Sequence, residues 1–228
     1  MKKTLTPEFY KKLNSICSGI INPEDLLLVM TLESGLDPEA MNPNGKAVGM
    51  IQFMPFVLPN VGFKGSPEEF GQLEAVSQLD YISNYLKQMT SWNGGPFKSA
   101  SQYYVANFYP AALTLPGIRA NDPNAIIVEK DQSVKRYKGT SPQQDARAYA
   151  ANPGLDANKD GKITLGDLQN VLDRNRSNPK YINAIEQLHK YVGFSNEKVE
   201  NTNRVEKTTP DDLEKILQDF SDALAVLR

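Results

Sequence analysis

Two short stretches hold residues whose types and spacing could do chemistry: residues 33–55 (ESGLDPEAMNPNGKAVGMIQFMP) and residues 156–167 (DANKDGKITLGD). In the first, a lone carboxylate, Glu33, falls at the end of an apolar run. A polar, Gly-containing loop and a compact Gly-x-x-Gln unit, Gly49 to Gln52, follow it. The C-terminal end of a helix carries partial negative charge and disfavours an anion. Met30, Leu32 and Leu36 would also desolvate the carboxyl. Both effects raise a carboxyl pKa, which a general acid working near neutral pH requires. The competing reading is a surface glutamate in the last turn of a core helix, and helix position alone favours it. The residues downstream reverse that balance.

The element that must position Glu33 can be read from its ends. Asn22 is the N-cap, Pro23 takes the first helical position, and Glu24 and Asp25 fill the first turn. Leu26, Leu27, Leu28, Val29, Met30 and Leu32 make the helix apolar nearly all round, which predicts a central, buried helix. Gly35 supplies a left-handed C-terminal residue, and Pro38 prevents continuation.

Glu33-Ser34-Gly35, then Asn42-Pro43-Asn44-Gly45, then Gly49-Met50-Ile51-Gln52-Phe53-Met54-Pro55 resembles the catalytic core of lytic transglycosylases. These belong to the lysozyme-like superfamily that includes goose-type lysozymes. The family pattern is a Glu-Ser pair, a polar loop ending in Ala-x-Gly, and a Gly-Leu-x-Gln unit opening the next helix. Met50 stands where the family has Leu. A third family motif is an aromatic segment, usually with Tyr-Asn-Ala-Gly. Its counterpart is Tyr103-Tyr104-Val105-Ala106-Asn107-Phe108-Tyr109-Pro110-Ala111-Ala112, without the family's glycines. The resemblance covers about residues 20–115, and the remainder has the general look of phage-borne members.

The resemblance implies cleavage of the β-1,4 bond between N-acetylmuramic acid and N-acetylglucosamine in peptidoglycan. Glu33 would protonate the leaving oxygen and then act as base while the sugar's own C6 hydroxyl attacks, giving an anhydro product. Ordinary glycosidases use two carboxyl groups. If the substrate supplies the nucleophile, one suffices. Asp37 and Glu39 are close in sequence, so a hydrolytic muramidase stays open, as does a weakly active virion structural protein on a lysozyme-like scaffold. By resemblance the substrate-binding set is Ser34, Gln52, Phe53, Tyr104, Asn107 and Tyr109. In the family a tyrosine hydroxyl contacts the acid, and either Tyr104 or Tyr109 fits that role. Both also fit a core stripe at helical spacing. Gln52 orients the acid or binds an acetamido group; helix capping is its bland alternative.

Residues 156–167 match an EF-hand-type calcium loop. Asp156, Asn158 and Asp160 stand at positions one, three and five, Gly161 takes the turn, Lys162 offers its carbonyl, Thr164 sits at nine and Asp167 closes the loop. Asp rather than Glu at the last position shortens the closing carboxylate. The expected cofactor is a structural Ca2+; the competing reading is an Asp/Asn/Gly turn before a helix, and a calcium-dependent wall-binding module is a further alternative. A helix with Leu165, Leu168, Val171 and Leu172 inward follows.

The expected fold class is mainly α, a lysozyme-like α+β domain with a small β-hairpin, an EF-hand-like loop and a C-terminal amphipathic helix. A catalytic domain would span residues 1–193, a polar linker 194–209, and the final helix 210–228, with Leu213, Ile216, Leu217, Phe220, Leu224 and Leu227 at helical spacing. That helix either docks back on the catalytic domain or anchors the chain to another protein, such as a virion or tail protein, or to a second copy. Shorter helices are expected over 8–18, 67–90, 142–151 and 179–192, a hairpin over 125–138 around Lys130-Asp131-Gln132, and a loop from Trp92 to Pro96 in which Trp92 either stacks on a sugar or covers the core. His189 is expected at the surface.

A net charge of -2 gives no electrostatic case for nucleic acid. Cys17 is the single cysteine, so no intramolecular disulfide forms. No stretch approaches the roughly 20 apolar residues of a membrane span. Pro7, Glu8, Lys11 and Lys12 break any secretory signal. With the resemblance, this leads to the expectation of a phage virion enzyme acting on the host cell wall and periplasm.

Overall fold

The computed structural model describes residues 5–43, 47–131, 133 and 141–193. The expected linker and C-terminal helix, and the Asn44 to Lys46 part of the polar loop, lie outside the described residues. Helices dominate: α1 (Pro7–Cys17), α2 (Pro23–Ser34), α3 (Val57–Asn60), α4 (Pro67–Gly71), α5 (Ala75–Asn93), α6 (Ala100–Phe108), α7 (Pro116–Ala120), α8 (Pro142–Ala151), α9 (Leu165–Asn175) and α10 (Pro179–Val192). Strands β1 (Ile126–Glu129) and β2 (Lys162–Thr164) form one small antiparallel sheet. This is the mainly helical, lysozyme-like arrangement that the sequence predicts. Among the described residues no helix is long and apolar enough to cross a membrane.

Helix α2 is the hub. Leu26, Leu27, Leu28, Val29 and Met30 are each 0% exposed, so all sides of the helix are covered. It packs against α1, α6, α9 and α10. A helix apolar all round has no solvent face and must be enclosed. Its ends follow the sequence signals: the Asn22 side chain accepts from the Glu24 N–H, and Gly35 ends the helix in the left-handed region at φ 62°, ψ 35°. Leu36 is left-handed too, at φ 60°. The chain therefore turns away sharply two residues after Glu33. Cys17 is buried in the same core, and burial pushes its thiol pKa up.

Three expectations change. The single helix over 67–90 is broken in two, with Glu74 extended at ψ 148° between α4 and α5. The break serves a buried amide: Gln78 Nε2 donates to Phe70 O at 3.2 Å and to Pro38 O at 2.7 Å. The expected loop from Trp92 begins later, because Trp92 and Asn93 close α5 and Gly94 supplies its left-handed cap. Trp92 is 2% exposed, so it covers the core and offers no face to a sugar.

The third change concerns the hairpin. β1 pairs with β2, out of the candidate calcium loop, with Val128 opposite Ile163. The other half of the expected hairpin, around Val134 and Tyr137, lies outside the described residues. A three-residue strand is not stable alone, so β1 supplies the partner that β2 needs. His189 is only partly exposed: its Nε2 lies 2.7 Å from Glu24 Oε1 at the start of α2.

Candidate active site

Glu33, in the last turn of α2, lines a cleft of about 300 Å³. The facing wall comes from the turn after the polar loop and from α6. Val48 and Phe53 exchange backbone hydrogen bonds at 2.9 Å in both directions, which makes residues 48–53 a tight closed turn. The Gly-x-x-Gln unit thus forms a turn rather than opening a helix; the next helix, α3, begins at Val57. Gly49 is left-handed at φ 81°, and a Cβ there would come within 2.7 Å of both Gln78 Oε1 and Phe70 Cε1. Only glycine meets both demands.

Three side chains fasten this turn to the helices. Ser34 Oγ reaches Met50 O at 2.9 Å and Met30 O at 3.1 Å, joining the end of α2 to the turn. Gln78 Oε1 accepts from Met50 N at 3.1 Å, joining the turn to α5. Asn107 Nδ2 donates to Ile51 O at 3.1 Å, joining it to α6. Gln52 completes the loop: its Nε2 lies 3.0 Å from Gly49 O and 3.2 Å from Ala40 O. Gln52 holds a left-handed backbone at φ 53°, a conformation that costs energy outside glycine and that clusters at functional sites.

The acid is held by α6. Side-chain hydrogen bonds from Asn107 and Tyr104 reach Glu33. Desolvation is the largest influence on its carboxyl, and it outweighs those two hydrogen bonds, which favour the anion. The pKa is raised from the ordinary 4.5 to about 7. Tyr85 closes the floor: its hydroxyl donates to Ala106 O at 2.5 Å, and burial together with the charge of Glu33 raises its pKa. Tyr104 is raised chiefly by burial, then by the same carboxylate. A ring of buried phenols that themselves resist ionisation leaves Glu33 the group that titrates near neutrality.

The residues expected at the site divide into two sets. Glu33, Gln52, Phe53, Tyr104 and Asn107 line one cleft together. Phe53 does so mainly as core, 3% exposed, with its ring edge-on to Phe70 at 5.7 Å and to Tyr85 at 5.3 Å. Ser34 and Tyr109 are not among the lining residues. Ser34 is committed to the backbone contacts above, and the Tyr109 hydroxyl donates to Asp145 Oδ1 on α8 at 2.5 Å. Of the two tyrosines that fitted the acid-contacting role, Tyr104 is the one against Glu33. Gln78, Tyr85 and Asn152 belong to the site's construction and were not singled out from sequence. Gln78 left a trace as a lone amide between Ala75, Leu79 and Ile82 on the inner face of α5.

In the candidate calcium loop, Asp156 Oδ2 accepts from Gly161 N at 2.9 Å and from the Tyr149 hydroxyl at 2.7 Å. These bonds and others to the loop backbone hold its pKa low against the desolvation that opposes them. Asp167 accepts from Thr164 N at 2.9 Å in the capping box of α9, and also from Thr164 Oγ at 2.6 Å and from Ala157 N at 3.3 Å. Among the described residues no group of three or more His, Cys, Asp or Glu side chains is drawn together as a metal cluster.

Comparison with known families matches the transglycosylase SLT domain to residues 16–108, the stretch that contains α2, the closed turn and α6. The match supports a lytic-transglycosylase type of peptidoglycan-degrading enzyme. No curated protein and no solved structure matches the chain.

The raised pKa has a consequence for stability. Folded Glu33 binds its proton more tightly than unfolded Glu33, so stability is lost as pH rises from 4.5 to about 7 and the full deficit persists above that. The deficit is on the order of 3 kcal/mol. Glu33→Gln keeps the shape and removes the charge. Its melting temperature is expected to exceed wild type above pH 7 by several degrees and to converge with it below pH 4.5. A pH-independent difference between the two proteins would contradict the assignment.

Proposed function

We propose that this protein is a peptidoglycan lytic transglycosylase that cleaves the β-1,4 bond between N-acetylmuramic acid and N-acetylglucosamine with Glu33 alone. The observation that carries the reading is that Glu33 is the sole carboxylate among the described residues lining its cleft, with its pKa raised to about 7. Asp37 and Glu39 do not line it. Protonated Glu33 donates to the glycosidic oxygen as the bond from C1 breaks. The resulting carboxylate then takes the proton of the C6 hydroxyl as that oxygen bonds to C1, closing an anhydro ring. The proton balance returns Glu33 to its starting state and consumes no water. Tyr104 and Asn107 orient the carboxyl through both steps. A hydrolytic muramidase would need a second carboxylate or a positioned water, and the single carboxylate among the described lining residues supports the intramolecular route. Carriage by a phage extends this reading on the general resemblance alone.

Glu33→Gln is expected to lower the rate of peptidoglycan solubilisation by about a thousandfold or more, the scale of a lost general acid-base group. Mass spectrometry of wild-type products is expected to find anhydro-muramic ends. Hydrated reducing ends would assign the hydrolytic alternative, and an active Glu33→Gln protein would overturn the role of Glu33.

A second proposal concerns residues 156–167. Asp156, Asn158, Asp160, the Lys162 carbonyl, Thr164 and Asp167 form a hard-oxygen donor set suited to Ca2+. Gly161 at φ 87° makes the sharp turn that such a loop needs. Closure would draw Asp167 from its capping contacts. The ion would tie loop to helix and take no part in glycoside cleavage. Calcium is expected to raise the melting temperature and EDTA to lower it; an unchanged melt would remove the metal.

A further inference from the structure

The cleft around Glu33 is completed from outside the family match. Among its described lining residues, all but Asn152 fall within residues 16–108. Asn152 follows α8, at φ -133° and ψ 48°. Its backbone is committed on both sides: its N–H donates to Tyr149 O and its carbonyl accepts from Leu155 N, each at 3.0 Å. Its side chain is committed only in part. Nδ2 donates to Ala148 O at 3.0 Å, which leaves a second amide N–H and the Oδ1 acceptor.

The position is firmly built. The hydrogen bond between Tyr109 and Asp145, residues 2% and 1% exposed, fastens α8 to the end of α6. The Tyr149 hydroxyl on Asp156 Oδ2, at 2.7 Å, fastens the other end of α8 to the loop beyond. One buried and one half-buried contact therefore hold Asn152 at the cleft, and Tyr109 acts on the site through α8.

We propose that Asn152 contacts the substrate and sets specificity by reading one acetamido group of the glycan strand. This rests on the reading of the cleft as a glycan-cleaving site. An acetamido group offers one N–H and one carbonyl oxygen, and the remaining N–H and Oδ1 of Asn152 match it with two hydrogen bonds. The other amides near the acid have fewer groups to give. Nε2 of Gln52 is turned to Gly49 and Ala40, and Nδ2 of Asn107 to Ile51 and Glu33, which leaves each of them only its side-chain oxygen. A de-N-acetylated sugar would leave Asn152 with an unmatched amide, a loss of about tenfold in binding.

The test compares peptidoglycan with its chemically de-N-acetylated form, using the full chain as wild type, Asn152→Ala and Glu33→Gln. Wild type is expected to lose about tenfold in kcat/KM on the de-N-acetylated wall. Asn152→Ala is expected to lose about tenfold on the acetylated wall, mostly in KM, with little further loss on the other. That non-additivity is the decisive readout, since a merely structural residue would lower both rates by one factor. If wild type and Asn152→Ala lose the same factor on de-N-acetylation, or if Asn152→Ala equals wild type, the proposal is overturned. Should Asn152→Ala fail to fold, Asn152→Asp keeps the size, removes the donor and carries the same comparison. Glu33→Gln is expected to be inactive on both walls; activity there overturns the underlying functional reading instead.

Discussion

A carboxyl kept short of water at the end of a buried helix is the constraint on which this structure turns. Glu33 closes an α2 that has no solvent face, so its charge has nowhere favourable to go. The phenols of Tyr85 and Tyr104 and the amide of Asn107 surround it without supplying a positive charge. The protein accepts that cost, and in return the acid holds its proton near neutrality. A neighbouring cation would undo this by favouring the anion.

Holding the acid in this state requires rigidity around it, and the molecule supplies it with side chains bonded to backbone carbonyls and amides. Ser34, Gln78 and Asn107 each reach the closed turn at Met50 or Ile51 from a different helix. The turn is therefore fixed relative to α2, α5 and α6 at once. Gln78 has the least replaceable part, because it is 0% exposed and satisfies Met50 N, Pro38 O and Phe70 O together. Removing it would strand three buried backbone groups, each costly to leave unpaired.

Much of this was legible in the sequence where the cause is local. The caps of α2, the left-handed Gly35, the Asn/Pro starts of several helices and the apolar run of Leu26 to Met30 depend on neighbours in the chain. The direction of the Glu33 shift followed from the same local facts. What escaped depends on distant partners. The break before α5 is set by Gln78 reaching across to Pro38. The pairing of β1 with β2 joins segments more than thirty residues apart. Tyr104 and Tyr109 are alike in sequence, and the packed fold sets one against Glu33 and the other on Asp145 of α8. Ser34 had the family spacing of a binding residue and proved to be committed to the fold. Asn152 carried no local signal, since its meaning comes from where α8 ends.

The most direct measurement is a carbon-13 NMR titration of the Glu33 side-chain carboxyl in the full chain, assigned by comparison with Glu33→Gln. A single titration with its midpoint near 7 is the predicted result. A midpoint at the ordinary value of 4.5 would show a solvated carboxylate, ionised at working pH and unable to act as the proton donor.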